Sequence, residues 1–300
     1  MATVLITGGS GLIGTHLTQL LLAEGFQVRH LSRTPRLGAP VPRFAWDIAR
    51  GTVDPAALQG VDHVIHLSGA SIAQKRWTAG RMRELHASRS GAADLLRKAA
   101  EQAGTFPKSF ISASGINYYG AVTTQHVFTE SDGPGSDAIG RLTQAWEAAA
   151  DAWAPHCRVV KLRTPIVLAR DGGALPKLAL PARWGLAAPL GNGTQWMPWV
   201  HIADITQAYL HALRHADLHG AYNVAAPEQP DNRAFTRVLA MALHRPAFLP
   251  ALPRFLLRAA LGEMSSLLLE GARASNAKLV GSGFAFRYAR LEGALKDLLS

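Results

Sequence analysis

Glycines recur every three residues near the start of the chain, in the segment 7–14 (TGGSGLIG). This segment follows an apolar run, 4–6 (VLI), and leads directly into a helical pattern at 15–22. Glycine permits a tight turn and lets a diphosphate approach the backbone, while a helix N-terminus offers free N–H groups and a positive dipole end. The flanking strand and helix make the signal stronger than the glycine spacing alone. The segment therefore predicts a dinucleotide site rather than a glycine-rich turn without a ligand.

The residues after the second predicted strand, 27–31 (QVRHL), indicate which dinucleotide binds. An Asp or Glu at this point would hold the ribose 2′-hydroxyl of NAD, but no carboxylate occurs between Glu24 and Asp47. Ser32 and Arg33 stand there instead, and a guanidinium matches a 2′-phosphate with charge-assisted hydrogen bonds. We therefore predict NADP(H) as the cofactor. The alternative is that Arg33 is an ordinary surface charge.

Composition limits the remaining function classes. The chain has 300 residues, 48% of them hydrophobic, which is enough for a large core. The single cysteine, Cys157, excludes an intrachain disulfide and fits a reducing compartment. Neither a signal peptide nor a membrane span is recognisable in the sequence. We therefore expect a cytoplasmic protein. The net charge of +10 comes from scattered basic residues without a Lys/Arg run, which predicts attraction to anions but no specific nucleic-acid partner.

Metal binding is not predicted. His211 and His215 have the spacing of a metal pair on a helix, but no suitably placed carboxylate completes the set. We interpret both as surface histidines.

The order of the predicted elements indicates the fold. Strand and helix signals alternate through the first half of the chain, which is typical of an α/β, Rossmann-type, doubly wound parallel sheet with ligands at the carboxyl ends of its strands. Residues 1–170, plus about 200–230, are predicted to form the NADP-binding domain. About 171–199 and 231–300 are predicted to form a smaller, mainly helical substrate lobe. Predicted helix caps are Thr78, Asp204 and Asp231.

Motifs across nearly the whole chain resemble the atypical extended short-chain dehydrogenase/reductases. These form a group of NAD-dependent epimerase/dehydratase-like proteins, formerly described as cell-division-inhibitor homologues. The matching segments are 7–14 (TGGSGLIG), 67–72 (LSGASI), 112–120 (SASGINYYG), 146–150 (WEAAA), 162–168 (LRTPIVL) and 199–204 (WVHIAD).

The resemblance implies a cofactor that lies across the tips of the first strands. The implied contacts are Gly8, Ser10, Gly11, Leu12, Ile13 and Gly14 at the pyrophosphate, Ser32 and Arg33 at the 2′-phosphate, Asp47 at the adenine edge, Leu67, Ser68 and Gly69 at the adenosine ribose, and Glu84, Arg89 and Ser112 as further contacts. For Glu84 and Arg89 the alternative is an ordinary ion pair, or solvated charges, on the helix surface.

The catalytic residues depart from the pattern of that group. Extended reductases and epimerases pair a serine with Tyr-x-x-x-Lys on the following helix, where the lysine lowers the tyrosine pKa and the phenol exchanges a proton with substrate. Ser114 takes the place of the serine, but no tyrosine is followed by a lysine four positions later. Tyr118 or Tyr119 is our candidate acid, unless the two rings only pack a pocket wall. Candidate cations are Lys75, Arg76 and Arg141.

These observations predict an NADP(H)-dependent oxidoreductase or epimerase-like enzyme acting on an unidentified small molecule, as a monomer or homodimer. The rival hypothesis is a non-catalytic NADPH-binding redox sensor or regulatory protein, which the missing Tyr-x-x-x-Lys favours.

Overall fold

The computed structural model describes all residues, 1–300, and its centre is an eight-stranded sheet. The strands of the chain are β1 (Thr3–Thr7), β2 (Gln27–Ser32), β3 (Arg43–Asp47), β4 (Thr52–Val53), β5 (His63–His66), β6 (Ser109–Gly115), β7 (Val127–Phe128), β8 (Arg158–Thr164), β9 (Ile166–Leu168), β10 (Trp199–His201), β11 (Gly220–Asn223) and β12 (Arg273–Ala274). The order in the large sheet is β11-β8-β6-β5-β1-β2-β3-β4, and β4 alone runs antiparallel to its neighbour. The predicted doubly wound α/β fold is confirmed.

Helices connect the parallel strands and are the main regular elements of the second half of the chain. They are α1 (Leu12–Ala23), α2 (Ala79–His86), α3 (Ala92–Ala103), α4 (Ala138–Asp151), α5 (Leu175–Arg183), α6 (Ile202–Arg214), α7 (Asn232–Ala242), α8 (Arg254–Leu261), α9 (Ser266–Leu269), α10 (Ala277–Gly281) and α11 (Leu291–Leu299). A π-helical turn, Ala87–Gly91, joins α2 to α3, so the two form the long helix predicted to begin after Thr78. No helix combines the length and the apolar character needed to cross a membrane.

The strand order reverses at β1, which lies between β2 and β5. Thr7, the last residue of β1, is in register with Leu31 on one side and His66 on the other. In doubly wound sheets this reversal opens a crevice at the carboxyl ends of the strands, where ligands bind. The glycine segment begins at this crevice, directly after Thr7.

One hydrophobic core joins the two predicted parts of the chain. Val4 and Ile6 of β1 belong to the same buried cluster as Phe235 of α7 and Leu295 of α11. The C-terminal helices α7 and α11 therefore pack on the sheet through a continuous apolar contact, which fixes their position relative to the crevice. The exact division of the chain into domains stays a prediction.

The structure confirms two of the predicted helix caps and corrects the third. Thr78 accepts the N–H of Arg81, and Asp231 accepts the N–H of Ala234. Asp204 is not a cap, because α6 already begins at Ile202.

The residue that caps α6 is His201, whose Nδ1 accepts the N–H of Ala203 at 3.0 Å. Asp204 is 1% exposed and accepts the N–H groups of Arg287 and Tyr288, at 2.8 and 3.0 Å. It therefore ties the C-terminal segment to α6.

Candidate dinucleotide and substrate site

Gly8, Gly9 and Gly14 of the glycine segment are packed too closely to admit a Cβ atom. A Cβ on Gly8 would lie 2.9 Å from the carbonyl of Leu67, and one on Gly14 would lie 2.4 Å from the carbonyl oxygen of Gly8. Gly8 also has a φ of +72°, in the left-handed region that favours glycine. A Cβ on Gly9 would lie 2.5 Å from Nε2 of His30, which packs beneath the loop. The chain thus presents bare backbone at the crevice.

Helix α1 points its N-terminus at that crevice. Its N-cap residue is Gly11, which has no side chain to accept the first amides. The N–H groups of Leu12, Ile13 and Gly14 make no hydrogen bond within the protein. Three free donors at the positive end of a helix dipole form an anion cradle. The residues present therefore fit the pyrophosphate of a dinucleotide, and Ser10 lies exposed in the same turn.

The polar residues predicted at the adenosine end follow β2 and β3. Arg33 is exposed and forms no ion pair, while Ser32 Oγ accepts the N–H of Thr34 at 3.1 Å. Asp47 Oδ1 accepts the N–H groups of Ala49 and Arg50 at 2.9 and 3.1 Å. The neighbouring strands thus bring Arg33 and Asp47 to one edge of the sheet, with the guanidinium free to bind a phosphate.

A buried line of hydrogen bonds connects the ends of β1 and β5 to the π-helical turn. The N–H of Ser68 donates to Thr7 Oγ1 at 3.2 Å, and Thr7 Oγ1 lies 2.9 Å from His66 Nδ1. His66 Nε2 lies 3.2 Å from the carbonyl oxygen of Arg89. Because the carbonyl only accepts, Nε2 carries the proton and Nδ1 accepts from Thr7. His66 is therefore neutral, and Ser68 is held at the crevice floor.

We expect His30 and His66 to make the protein less stable in mild acid. Burial lowers the pKa of each to about 4, with the charge of Arg43 adding to the effect at His30. The unfolded chain has a histidine pKa of about 6.5, so between about pH 6.5 and 4 it binds protons that the folded chain does not. The free energy of unfolding then falls as the pH falls, by up to about 1.4 kcal/mol per pH unit for each histidine.

Urea unfolding at about pH 7.5 and pH 5 measures this loss. His219→Gln, at an exposed site, should leave the loss unchanged. The assignment of His66 is contradicted if His66→Gln also leaves it unchanged.

The remaining predicted cofactor contacts occupy different environments. Leu67, Ser68 and Gly69 follow β5 at the crevice, as predicted, with the Leu67 carbonyl against Gly8. Ser112 is 1% exposed, and its hydroxyl donates to the carbonyl of Ala113. The placement gives Ser112 no exposed polar atom with which to reach a cofactor, and its role as a contact stays a prediction.

Glu84 and Arg89 do not form the ion pair considered as an alternative. Glu84 is exposed and pairs with Arg81 at 2.6 Å. Arg89 is 7% exposed, has no carboxylate partner, and donates to the carbonyl of Ala70 at 2.9 Å. Its guanidinium lies 5.0 Å from the ring centre of Trp146, and burial lowers its pKa to about 10. Arg89 is thus a buried cation beside the crevice, suited to an anionic or carbonyl ligand.

A cavity of about 400 Å³ opens at the carboxyl ends of β6 and β8. One side carries Ser114 of β6 with Thr143 and Trp146 of α4. The other side belongs to the predicted substrate lobe, with Leu178 and Trp196. Most of the wall is apolar. A cavity of this size with a mainly apolar wall is typical of small-molecule sites, and a substrate between the sheet and the predicted lobe stays a prediction.

A second, more polar cavity of about 610 Å³ lies beside the first and shares wall residues with it, including Ile139 and Ser266. Arg141, Arg254 and Arg258 line it. Arg141 bonds the carbonyl of Ser136, and Arg254 pairs with Glu270. Asp137, Glu263 and Glu270 line the same cavity, so the acidic and basic charges of its wall balance.

Ser114 is the predicted catalytic residue that the structure does bring to the cavity. It is 3% exposed, and its Oγ donates to Oε1 of Glu147 at 2.6 Å. Arg163 holds the same carboxylate through Nε at 2.7 Å and Nη2 at 2.9 Å. Burial would lower the pKa of Arg163, but the hydrogen bonds and charge of Glu147 raise it overall. Arg163 is therefore held as a cation against this carboxylate.

Tyr118 and Tyr119 do not line the cavity. They stand on a 3-10 turn, Ile116–Tyr119, and the Tyr119 hydroxyl lies 2.8 Å from the carbonyl oxygen of Thr129 and 2.9 Å from Nη1 of Arg163. Burial raises the pKa of Tyr119 to about 12. This geometry supports the packing role for Tyr119 and gives no support to its prediction as an acid.

The cation next to both tyrosines is Arg163, which sequence reasoning missed. Its guanidinium carbon lies 3.6 Å from the ring centre of Tyr118 and 5.1 Å from that of Tyr119. The candidates Lys75, Arg76 and Arg141 make no such contact. The sequence did contain a signal for each residue of this pair. Arg163 is a charged residue among the apolar residues of a buried strand. Glu147 is a charged residue within the run of small residues in α4.

No group of three or more His, Cys, Asp or Glu side chains is arranged to hold a metal ion. His211 instead lies 3.0 Å from Ser282 Oγ, and its ring centre is 3.9 Å from that of His215.

Residues 4–225 match the NAD dependent epimerase/dehydratase family, and residues 252–298 match a domain of unknown function, DUF1731. The human protein "Epimerase family protein SDR39U1" is 35% identical over 300 residues, which cover 99% of each chain. The Bacillus subtilis protein "Epimerase family protein YfhF" is 34% identical over 306 residues, covering 99% of this chain and 98% of the relative.

Solved structures that match nearly the whole of this chain agree with the sequence matches. The crystal structure of human SDR39U1 with NADPH superposes with a TM-score of 0.87 at 35% identity, covering 99% of this chain and 98% of the other. A nucleoside-diphosphate sugar epimerase from Corynebacterium glutamicum gives a TM-score of 0.81 at 29% identity, with 99% of this chain and 58% of that chain covered.

Proposed function

The chain belongs to the NAD dependent epimerase/dehydratase family, and from this premise we propose that it is an NADP(H)-dependent oxidoreductase acting on a hydroxyl or carbonyl group of a small molecule. The observation that carries the proposal is the placement of Ser114 in a cavity at the carboxyl ends of the strands that follow the glycine cradle. A dinucleotide laid across the switch point directs its reactive half toward this side of the sheet.

Two features support NADP(H) as the dinucleotide. The human relative is described with NADPH bound, and Arg33 here is free to pair with a 2′-phosphate. The buried Arg89 adds a cation near the middle of the crevice. When bound, the dinucleotide would accept or donate a hydride, while the residues of the chain bind it, exclude water and exchange the proton.

Arg33→Asp is expected to remove the preference for NADPH. The substitution deletes a charge-assisted contact worth about 1.5–3 kcal/mol and places a carboxylate against the phosphate, so NADPH affinity should fall by about 10- to 100-fold or more. NADH affinity should stay the same or improve. Fluorescence titration with both dinucleotides measures the change.

Arg183→Asp is the matched control, since it makes the same charge change at an exposed site on α5. The control should leave both affinities within about twofold, whereas an equal loss in both variants would mean that only the net charge matters.

Turnover of a substrate distinguishes an enzyme from a non-catalytic NADPH-binding protein. A panel of aldehydes and ketones, monitored by NADPH oxidation, should include at least one compound reduced by the protein. Tight NADPH binding with no turnover across the panel, in either direction, would favour the non-catalytic sensor or regulator. Failure to bind either dinucleotide would remove the basis of both functions.

A further inference from the structure

Three polar side chains lead from the main cavity into the interior of the protein. Ser114 lines the cavity, whereas Glu147 and Arg163 lie behind it and are 4% and 3% exposed. Ser114 Oγ is 2.6 Å from Glu147 Oε1, and Arg163 grips both oxygens of that carboxylate. A buried carboxylate connected to the cavity through one hydroxyl has the arrangement of a proton relay.

The charge of Glu147 determines the direction of the hydrogen bond from Ser114. The two contacts from Arg163, with Lys161 Nζ a further 3.7 Å from Oε2, stabilise the ionised carboxylate. An ionised carboxylate only accepts hydrogen bonds, so Ser114 must donate its single proton to it. The lone pairs of Ser114 Oγ can then accept a hydrogen bond from a ligand in the cavity. The group they bind on a substrate must be a hydrogen-bond donor.

We propose that Ser114 accepts the proton of a substrate hydroxyl while passing its own proton to Glu147, and that this pair takes the role of the absent Tyr-x-x-x-Lys. The inference rests on the proposed function, which brings the reactive end of NADP⁺ to the same cavity. Ser114 is the catalytic residue, and Arg163 is a positioning residue that holds the carboxylate ionised and in place.

The step balances as the oxidation of an alcohol. The substrate carbon loses its hydrogen as hydride to NADP⁺, and its C–O bond becomes a carbonyl. The hydroxyl proton moves to Ser114 Oγ, and the original serine proton moves to Glu147 Oε1. The proton remains there until the product leaves and solvent enters the cavity. Reduction of a carbonyl runs the same path in reverse from protonated Glu147.

The cavity wall indicates the class of alcohol. Leu142, Ile166, Leu178 and Leu267 supply apolar surface around the hydroxyl of Ser114. Two threonine hydroxyls also line this part of the cavity, but Thr143 already donates to the carbonyl of Ile139 at 2.9 Å and Thr164 to that of Leu162 at 3.1 Å. We therefore expect the substrate to be an alcohol with an apolar body near the reacting carbon.

The first test is Ser114→Ala, which leaves the Glu147–Arg163 pair intact. With a substrate from the carbonyl panel, turnover should fall by about 10²- to 10⁴-fold, the usual contribution of a positioned acid or base. The dissociation constant for NADPH should stay within about twofold. Ser109→Ala is the control, because Ser109 is a buried, hydrogen-bonded serine at the opposite end of β6. Unchanged turnover in Ser114→Ala would overturn the proposal.

The second test needs neither cofactor nor substrate. In a Ser114→Cys, Cys157→Ser protein, the pH dependence of iodoacetamide alkylation gives the pKa of the introduced thiol. The nearby carboxylate should hold this pKa above that of free cysteine, about 8.5. Adding Glu147→Gln and Arg163→Met together, which avoids an unpaired buried charge, should lower it by at least about one pH unit.

A thiol pKa that does not change when the pair is removed would overturn the relay, even if the protein binds NADPH and turns over substrate. Conversely, if the protein does not bind NADPH, the proposed function is wrong. The thiol pKa still tests the coupling between positions 114 and 147 in that case.

Discussion

Replacing Gly14 by alanine is expected to weaken NADPH binding by at least about 100-fold and to lower the free energy of unfolding by about 1–3 kcal/mol. The added Cβ would lie 2.4 Å from the carbonyl oxygen of Gly8 and 2.7 Å from the Cα of Gly9. Both neighbours are backbone atoms that cannot rotate away. The turn must shift, and the cradle of free amides at Leu12 and Ile13 shifts with it. Dinucleotide titration and urea unfolding measure the two effects.

The matched control is Gly293→Ala in helix α11, where a Cβ would meet nothing within 4 Å. Helix propensity alone favours alanine over glycine by about 0.8–1.0 kcal/mol at an interior helical position. Gly293→Ala should therefore stabilise the protein without changing NADPH affinity. If Gly14→Ala behaved like Gly293→Ala, the close approach of α1 to the loop would be disproved.

The second large effect is expected from Glu147→Gln. This change leaves the guanidinium of Arg163 buried without its counter-charge, a situation that costs about 3–5 kcal/mol of stability. The loss corresponds to a large part of the stability of an ordinary domain. Urea unfolding of the variant should therefore show a much lower midpoint, unless the protein no longer accumulates in folded form.

Glu101→Gln provides the comparison, because Glu101 pairs with Arg97 on the surface of α3 and is 39% exposed. An exposed pair contributes about 0–1 kcal/mol, so its loss should be barely measurable. The double change Glu147→Gln, Arg163→Met should recover most of the stability lost in Glu147→Gln. Equal stability losses in Glu147→Gln and Glu101→Gln would show that the buried pair is solvated.

The cofactor cradle was predictable because its requirements are local. Gly8, Gly11 and Gly14 are needed by a single turn between one strand and one helix, and the sequence contains all of that turn. The parallel sheet was predictable for a similar reason, since its apolar strands alternate with amphipathic helices along the chain.

The proposed relay of Ser114, Glu147 and Arg163 was not predictable because it depends on contacts between distant segments. Ser114, Glu147 and Arg163 come from β6, α4 and β8 and meet only after the sheet has formed. Proximity along the chain suggested Tyr119 instead, but the 3-10 turn after β6 directs its hydroxyl to Asn223 of β11. Asp204 was mistaken for a cap because its acceptors are used by Arg287 and Tyr288, more than 80 residues later.

The π-helical turn at Ala87–Gly91 affects how relatives of this chain are aligned. A π-helical turn contains one residue more than a regular helical turn, so the residues beyond it are rotated by about 100° relative to an uninterrupted helix. Here the turn carries Arg89, whose carbonyl accepts from His66 and whose guanidinium lies over Trp146. A relative one residue shorter between Thr78 and Gly104 would present another side chain at this place. A relative that lacks the extra residue is therefore aligned with this chain through a gap inside the helix.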